Sequence, residues 1–183
     1  MKSILTNATV FAVILLIASC TKTETTPSAA ETNGTLLAGA KGASKSWSLV
    51  SITQSVNGGT TQSATGIPAC ETDNIFQFFN NTSQSYTQTE GATVCTTGDP
   101  ATLETGSWAL TDDGKSLLID ASVNVTSTQV NSEQFLIYYI LSQGEPLTIS
   151  LLTATSLTLT YTVIDTSVSP SNTYLITIGF TKI

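Results

Sequence analysis

Histidine and arginine are both absent from the 183-residue chain, and only 10% of its residues are charged. Without histidine there is no Ser-His-Asp or Cys-His relay and no imidazole ligand for a metal. Without arginine there is no bidentate clamp for phosphate. Cysteine is scarce, at three residues. Positive charge is scarce as well: the net charge is −7 and the isoelectric point about 4.2. Nucleic acid is therefore excluded as a partner, because its phosphate backbone is bound through clustered positive charge. No apolar run reaches the roughly 18 residues that a spanning helix needs. What remains is rich in serine, threonine, valine and isoleucine, a composition that favours strands over exposed helices. The length suits one domain and a leader.

The leader opens with Lys2 and continues as the apolar run Val10–Ala18. Nine residues are too few to span a bilayer, but charge, short apolar run and small residues together make a secretory signal. Ile17-Ala18-Ser19-Cys20 closes it. This resembles a bacterial lipobox, in which cleavage leaves the cysteine first and its thiol takes a diacylglycerol. The resemblance implies residues 1–19 as signal peptide and Cys20 as the lipidation site, carrying palmitate-type acyl chains. Two or more chains anchor a protein stably, at roughly 0.8 kcal/mol per buried CH₂. Residue 21 is threonine, so the aspartate that retains such proteins at the inner membrane is missing. The expected location is the outer membrane, with the protein anchored to it and not spanning it.

Residues 20–45 then read as the lipidated cysteine and a flexible tether. Thr21 to about Ser44 is polar, small and without aromatics, with Leu36-Leu37 its one apolar spot. Such a stretch buries too little surface to fold alone. As a coil it would reach on the order of 25–30 Å.

Cys70 and Cys95 remain. An even pair in an exported chain suggests a disulfide, worth about 3 kcal/mol for a loop of this size. A metal pair or two free thiols are the alternatives, and two cysteines without histidine make a poor zinc site.

From Ser46 to Ile183 the pattern has period two, broken by turn signals. Strands are expected at Trp47–Gln54, Asn74–Asn80, Ser85–Glu90, Thr105–Thr111 and Lys115–Ala121, then at Glu133–Ser142, Leu147–Thr153, and two cleanly alternating stretches around Leu157–Val163 and Tyr174–Phe180. Glu133–Ser142 is apolar on both faces. A helix is the alternative there, though its aromatic and β-branched content favours a strand. Eight or nine consecutive antiparallel strands have exposed edges that closure removes. The expected fold is all-β, an up-and-down barrel of about eight to nine strands, with a two-sheet sandwich as the alternative.

Several pieces then line up in order: Ser46-Trp47-Ser48-Leu49, Ala69-Cys70-Glu71-Thr72-Asp73-Asn74, Glu90-Gly91-Ala92-Thr93-Val94-Cys95, Thr105-Gly106-Ser107-Trp108-Ala109-Leu110, Asp113-Gly114-Lys115-Ser116-Leu117 and Leu152-Thr153-Ala154-Thr155-Ser156-Leu157-Thr158-Leu159. Together they resemble the lipocalin-like domain of Bacteroidota-type lipoproteins, over residues 46–183. The resemblance implies a calyx-shaped barrel with Trp47 closing its base. It implies no particular ligand, since fold alone does not fix function.

In a meander, alternate loops share an end. The loops 55–73, 91–104 and 122–132 fall together, and the first two carry the cysteines. The mouth is therefore expected to be pinned by the disulfide, with the tether leaving the opposite end. Glu71, Asp73, Glu90, Asp99 and Glu104 make that mouth acidic. A calcium site of hard oxygen ligands is one reading. Their spacing fits no EF-hand, and solvated loop charge is the favoured one, with no metal site assigned.

The interior aromatics Trp47, Phe76, Phe78, Trp108, Tyr139, Tyr161 and Tyr174 are candidates to touch a ligand, with plain core as the competing role. No catalytic set emerges. The lysines beyond the leader sit in the tether, at Lys115 in a turn, or at Lys182 near the end. Asp112-Asp113 lies on a turn where exposure leaves nothing to tune a pKa. No cofactor is implied. The expectation is a monomeric, non-enzymatic lipoprotein whose barrel binds a small apolar ligand. Its competitor is a filled barrel that presents its loops to a macromolecular partner.

Overall fold

Alternation of apolar and polar residues sends one face of each strand inward and the other to water. The computed structural model describes residues 26–64, 68–95, 97–124, 141 and 144–183. Its strands are β1 (Ser44–Val56), β2 (Gln62–Ser63), β3 (Ile75–Phe79), β4 (Ser85–Thr89), β5 (Thr102–Leu110), β6 (Ser116–Val123), β7 (Leu147–Leu152), β8 (Ser156–Asp165) and β9 (Asn172–Lys182). Every pairing is antiparallel. Neighbours run β1-β3-β4-β5-β6-β7-β8-β9, and β9 pairs back onto β1, which closes an eight-stranded barrel. The short β2 is an extra strand on β1. The expected meander barrel is thus the observed fold, and the sandwich is not.

β1 is the seam. Its first half pairs with β3, from Ser44–Phe79 to Ser48–Ile75. From Trp47 onward it also pairs with β9, through a register shift between Leu49 and Ser51. The shift exposes Val50 and moves the inward positions from Trp47 and Leu49 to Ile52. A bulge of this kind bends a strand and helps a sheet close.

Residues expected as tether fold instead. Helix α1 (Ala29–Ala38) opens on a capping box: the Ser28 hydroxyl accepts from Glu31 N–H and the Glu31 carboxylate accepts from Ser28 N–H. That pairing satisfies two end donors at once. Gly34, Leu37 and Ala38, at helical spacing, form its buried face. The helix closes the barrel end carrying the β3–β4 and β5–β6 turns. There Asn33 Nδ2 donates to the Gly114 carbonyl (2.9 Å) and Asn80 Nδ2 to the Gly39 carbonyl (2.7 Å). Tertiary burial, supplied by the barrel, stabilises a helix too short to stand alone. The folded unit therefore includes α1, ahead of the boundary expected at residue 46.

Among the described residues, β6 pairs directly with β7 through Ser116–Thr148 and Leu117–Leu147. β8 and β9, by contrast, pair from Ser156–Thr181 to Asp165–Asn172. The strand expected at Glu133–Ser142 lies outside the described residues except for Leu141, which is helical and fully buried in the core. Signal peptide, Cys20 and Tyr139 also lie outside them.

Candidate functional site

The base half of the barrel is solid. Trp47, Phe76, Phe78, Trp108 and Phe180 are all buried. Phe76 meets Phe180 edge-on at 5.2 Å, and Phe78 meets Tyr86 at 5.2 Å and Trp108 at 6.2 Å. Four of the expected ligand aromatics, Trp47, Phe76, Phe78 and Trp108, are thus buried members of the hydrophobic core. Tyr161 and Tyr174 lie on β8 and β9 toward the other end and are half-buried.

That other end is polar inside. Cys70 and Cys95 form the disulfide, with Cα atoms 5.2 Å apart. It joins the short helix α2 (Ala69–Thr72) to the loop after β4. The loops before β3 and after β4 share an end because the two strands form a hairpin, which is why cysteines 25 residues apart can meet. Glu71, Asn74, Gln88 and Glu104 are buried beside it. Asn74 Nδ2 donates to Glu71 Oε2 (3.2 Å), and its Oδ1 accepts from Gly91 N–H (3.1 Å). Thr93 N–H donates to Asp73 Oδ2 (2.8 Å). Gly91 has no alternative here: a Cβ would overlap both the Asp73 carbonyl and its carboxylate.

Deeper in, Gln88 and Glu104 are directly opposite on β4 and β5. Tyr86 Oη donates to Glu104 Oε2 (2.9 Å). The pKa of Glu104 is pushed up to about 8, by burial first and by the charge of Glu71, with the Tyr86 hydrogen bond opposing. Glu90 is also raised, by burial and then by Asp99, Glu71 and Asp73. Six buried side-chain atoms among the described residues have no hydrogen-bond partner: Asp73 Oδ1, both amide atoms of Gln88, Glu90 Oε2, Asp99 Oδ1 and Glu104 Oε1. Five of the six are oxygens, and all belong to this one end. Each such group costs about 1–3 kcal/mol if left unmade.

Of the five acids expected at this end, Glu71 and Glu104 are buried, and Asp73, Glu90 and Asp99 are half-buried. No group of three or more His, Cys, Asp or Glu among the described residues is already placed to hold a metal ion. Tyr86, Asn74 and Gln88 were not among the expected site residues. The signal was present: Ser85-Tyr86-Thr87-Gln88-Thr89 alternates, so an inward tyrosine carries an inward glutamine with it.

A cleft of about 930 Å³ lies outside the barrel, between α1 and the base, lined by Glu31, Gly34, Lys41, Asn81, Trp108 and Leu110. No helix among the described residues is long and apolar enough to cross a membrane. The class that the fold defines is a closed eight-stranded antiparallel barrel with a helical stopper and a cystine-pinned polar end. No protein-family model matches the chain, and no curated protein matches it either.

Proposed function

We propose that this chain is an envelope lipoprotein of the outer membrane. Cys20 carries the anchor, and a lipocalin-like barrel binds a small, largely apolar ligand without catalysis. The observation that carries the binding role is the asymmetry of the interior. The base half is filled by aromatic rings. The far half places half-buried apolar residues, Tyr161 and Val163 among them, together with the unpartnered atoms of Gln88 and Glu104. A small-molecule site needs that combination: apolar lining for affinity and a few polar groups for orientation. Anionic head groups are disfavoured by the surrounding acids, so the ligand is neutral or cationic.

The test is native mass spectrometry of a Cys20→Ser form recovered from a bacterial periplasm without detergent. A co-purifying mass, lost on denaturation, supports the carrier. A clean apo mass points to the filled barrel that shows its loops to a macromolecule. Labelled palmitate should enter the unaltered chain and not the Cys20→Ser form.

A further inference from the structure

We propose that the outer face of β7, β8, β9 and the second half of β1 is the contact through which two copies of this chain form a two-fold dimer. The axis runs along Thr148, Thr160, Thr177 and Thr53, a row of paired residues that crosses the four strands. This does not depend on the lipid anchor or on the apolar ligand.

Leu157 and Leu159 on β8, and Ile176, Ile178 and Phe180 on β9, belong to the core, so the residues between them face outward. On the outward positions from Thr148 on β7 to Ser55 on β1, no Asp, Glu or Lys stands among the described residues. The charged residues of β8 and β9, Asp165 and Lys182, end the inward series at its two extremes. The chain as a whole carries a net charge of −7. Two copies therefore repel wherever acids meet, and juxtaposed like charges are costly. This face lets them approach without that cost.

The same face is apolar where it is uncharged. Val50, Leu151, Ile164 and Leu175 are 57%, 47%, 62% and 42% exposed, and all four lie on it. Two register shifts, between Leu49 and Ser51 and between Ile149 and Leu151, each turn an extra apolar residue outward here. Among the described residues, β3, β4 and β5 carry no large apolar side chain so exposed. The four residues are also placed in two sets. Leu151 pairs with Thr158, Thr158 with Gly179, and Val50 lies beside Gly179, which makes a row on one side of the threonines. Leu175, between Thr162 and Ser55, and Ile164, opposite Thr173, lie on the other side. A half-turn about the threonine row lays the Leu151–Val50 row of each copy over Leu175 and Ile164 of the other. That is the self-complementarity an isologous contact requires.

Size and packing agree. Four strands, with β8 contributing Thr158 to Ile164, make a patch roughly 20 Å on each side. Two such patches bury on the order of 1,000 Å² in all, the low end for a specific contact. A half-turn about an axis across the strands keeps the facing strands aligned, as sheets that pack face to face are. Gly179 keeps the surface low at its centre, where a Cβ would overlap Ser51 Oγ. Self-complementarity, and the lack of charge with which to recognise an unlike macromolecule, select a second copy as the occupant.

The experiment is analytical ultracentrifugation of the full chain over a range of concentrations, in its Cys20→Ser form so that acyl chains do not drive association. The mass should rise from monomer to dimer and stop there, with a dissociation constant on the order of 10⁻⁵ M, as a contact of this size gives. Raising the ionic strength should tighten the dimer, because salt screens the net repulsion; a dimer held by ion pairs would loosen. Leu175→Glu should weaken association at least tenfold. Thr177→Glu, on the axis, sets two carboxylates against each other and should do the same. Val94→Glu, exposed on the loop after β4 and away from this face, should dimerise like the parent. If Leu175→Glu fails to fold, Thr177→Glu decides, since it replaces one polar surface residue by another. A parent that stays monomeric at about ten times the expected constant overturns the proposal. So do assemblies that grow beyond the dimer, or a Thr177→Glu chain that dimerises as tightly as the parent.

Discussion

The indole N–H of Trp47 donates to the main-chain carbonyl of Leu37 across 2.9 Å, with both residues fully buried. This one bond ties helix α1 to the barrel seam. It lets the tryptophan close the base with its polar edge satisfied, as a buried indole requires. Lys45 Nζ reinforces the junction from outside, donating to the Leu36 carbonyl near the helix C-terminus, where a cation is favoured.

If α1 belongs to the fold, Leu37→Ala should destabilise the protein by about 2–4 kcal/mol in urea unfolding, through lost burial and the cavity left behind. Trp47→Phe should cost about 1–3 kcal/mol, since it strands the Leu37 carbonyl. A loose tether would make the leucine substitution neutral, and that result would remove the helix from the folded unit.

Replacing Cys70 and Cys95 together with serine should cost about 3 kcal/mol, from the unfolded-state entropy that the cross-link removes. The unaltered chain should weigh two hydrogens less than its reduced form. A double variant as stable as the parent would show that hydrogen bonds alone hold the two loops.

The buried acid sets the pH dependence. The carboxyl of Glu104 has its pKa raised from 4.5 to about 8 in the folded chain. Folded protein therefore binds the proton more tightly than unfolded protein does. This contribution is fully present below about pH 4.5 and is lost as pH rises towards about 8. The raised Glu90 acts in the same direction. Unfolding in urea should therefore show stability declining across that window, and Glu104→Gln should flatten most of the decline. A parent whose stability climbs with pH there would contradict the burial argument.

Gly91→Ala should destabilise by about 1–3 kcal/mol, because the new methyl group overlaps Asp73 and something must shift. The loss of the Gly91 N–H to Asn74 contact should appear as faster amide exchange at residue 91. Unchanged exchange and stability would mean that the loop adjusts freely.

Much of the barrel was legible in the chain. Trp108 with Leu110, Leu157 with Leu159, and Ile176 with Ile178 alternate with polar residues, so their strands could be placed to within a few positions. The disulfide was legible too, because meander parity puts the loops of Cys70 and Cys95 at one end. The bulge at Val50 was not: a register shift answers to both partners of β1 at once, and neither is visible from β1 itself. Helix α1 left a partial signal in Ser28 and Glu31, the two ends of a capping box.

Local chemistry thus determined the strand periods, the acidic net charge, the absence of histidine and the cysteine pair, because each depends on residue type and short spacing. Only the tertiary structure decided that Leu37 is buried, that Glu104 lies opposite Gln88, and that Glu71 and Glu104, from separate segments, are both buried. Those outcomes depend on strand register and barrel closure. Both are settled by contacts between residues far apart in the chain, where one step of register turns an inward side chain out.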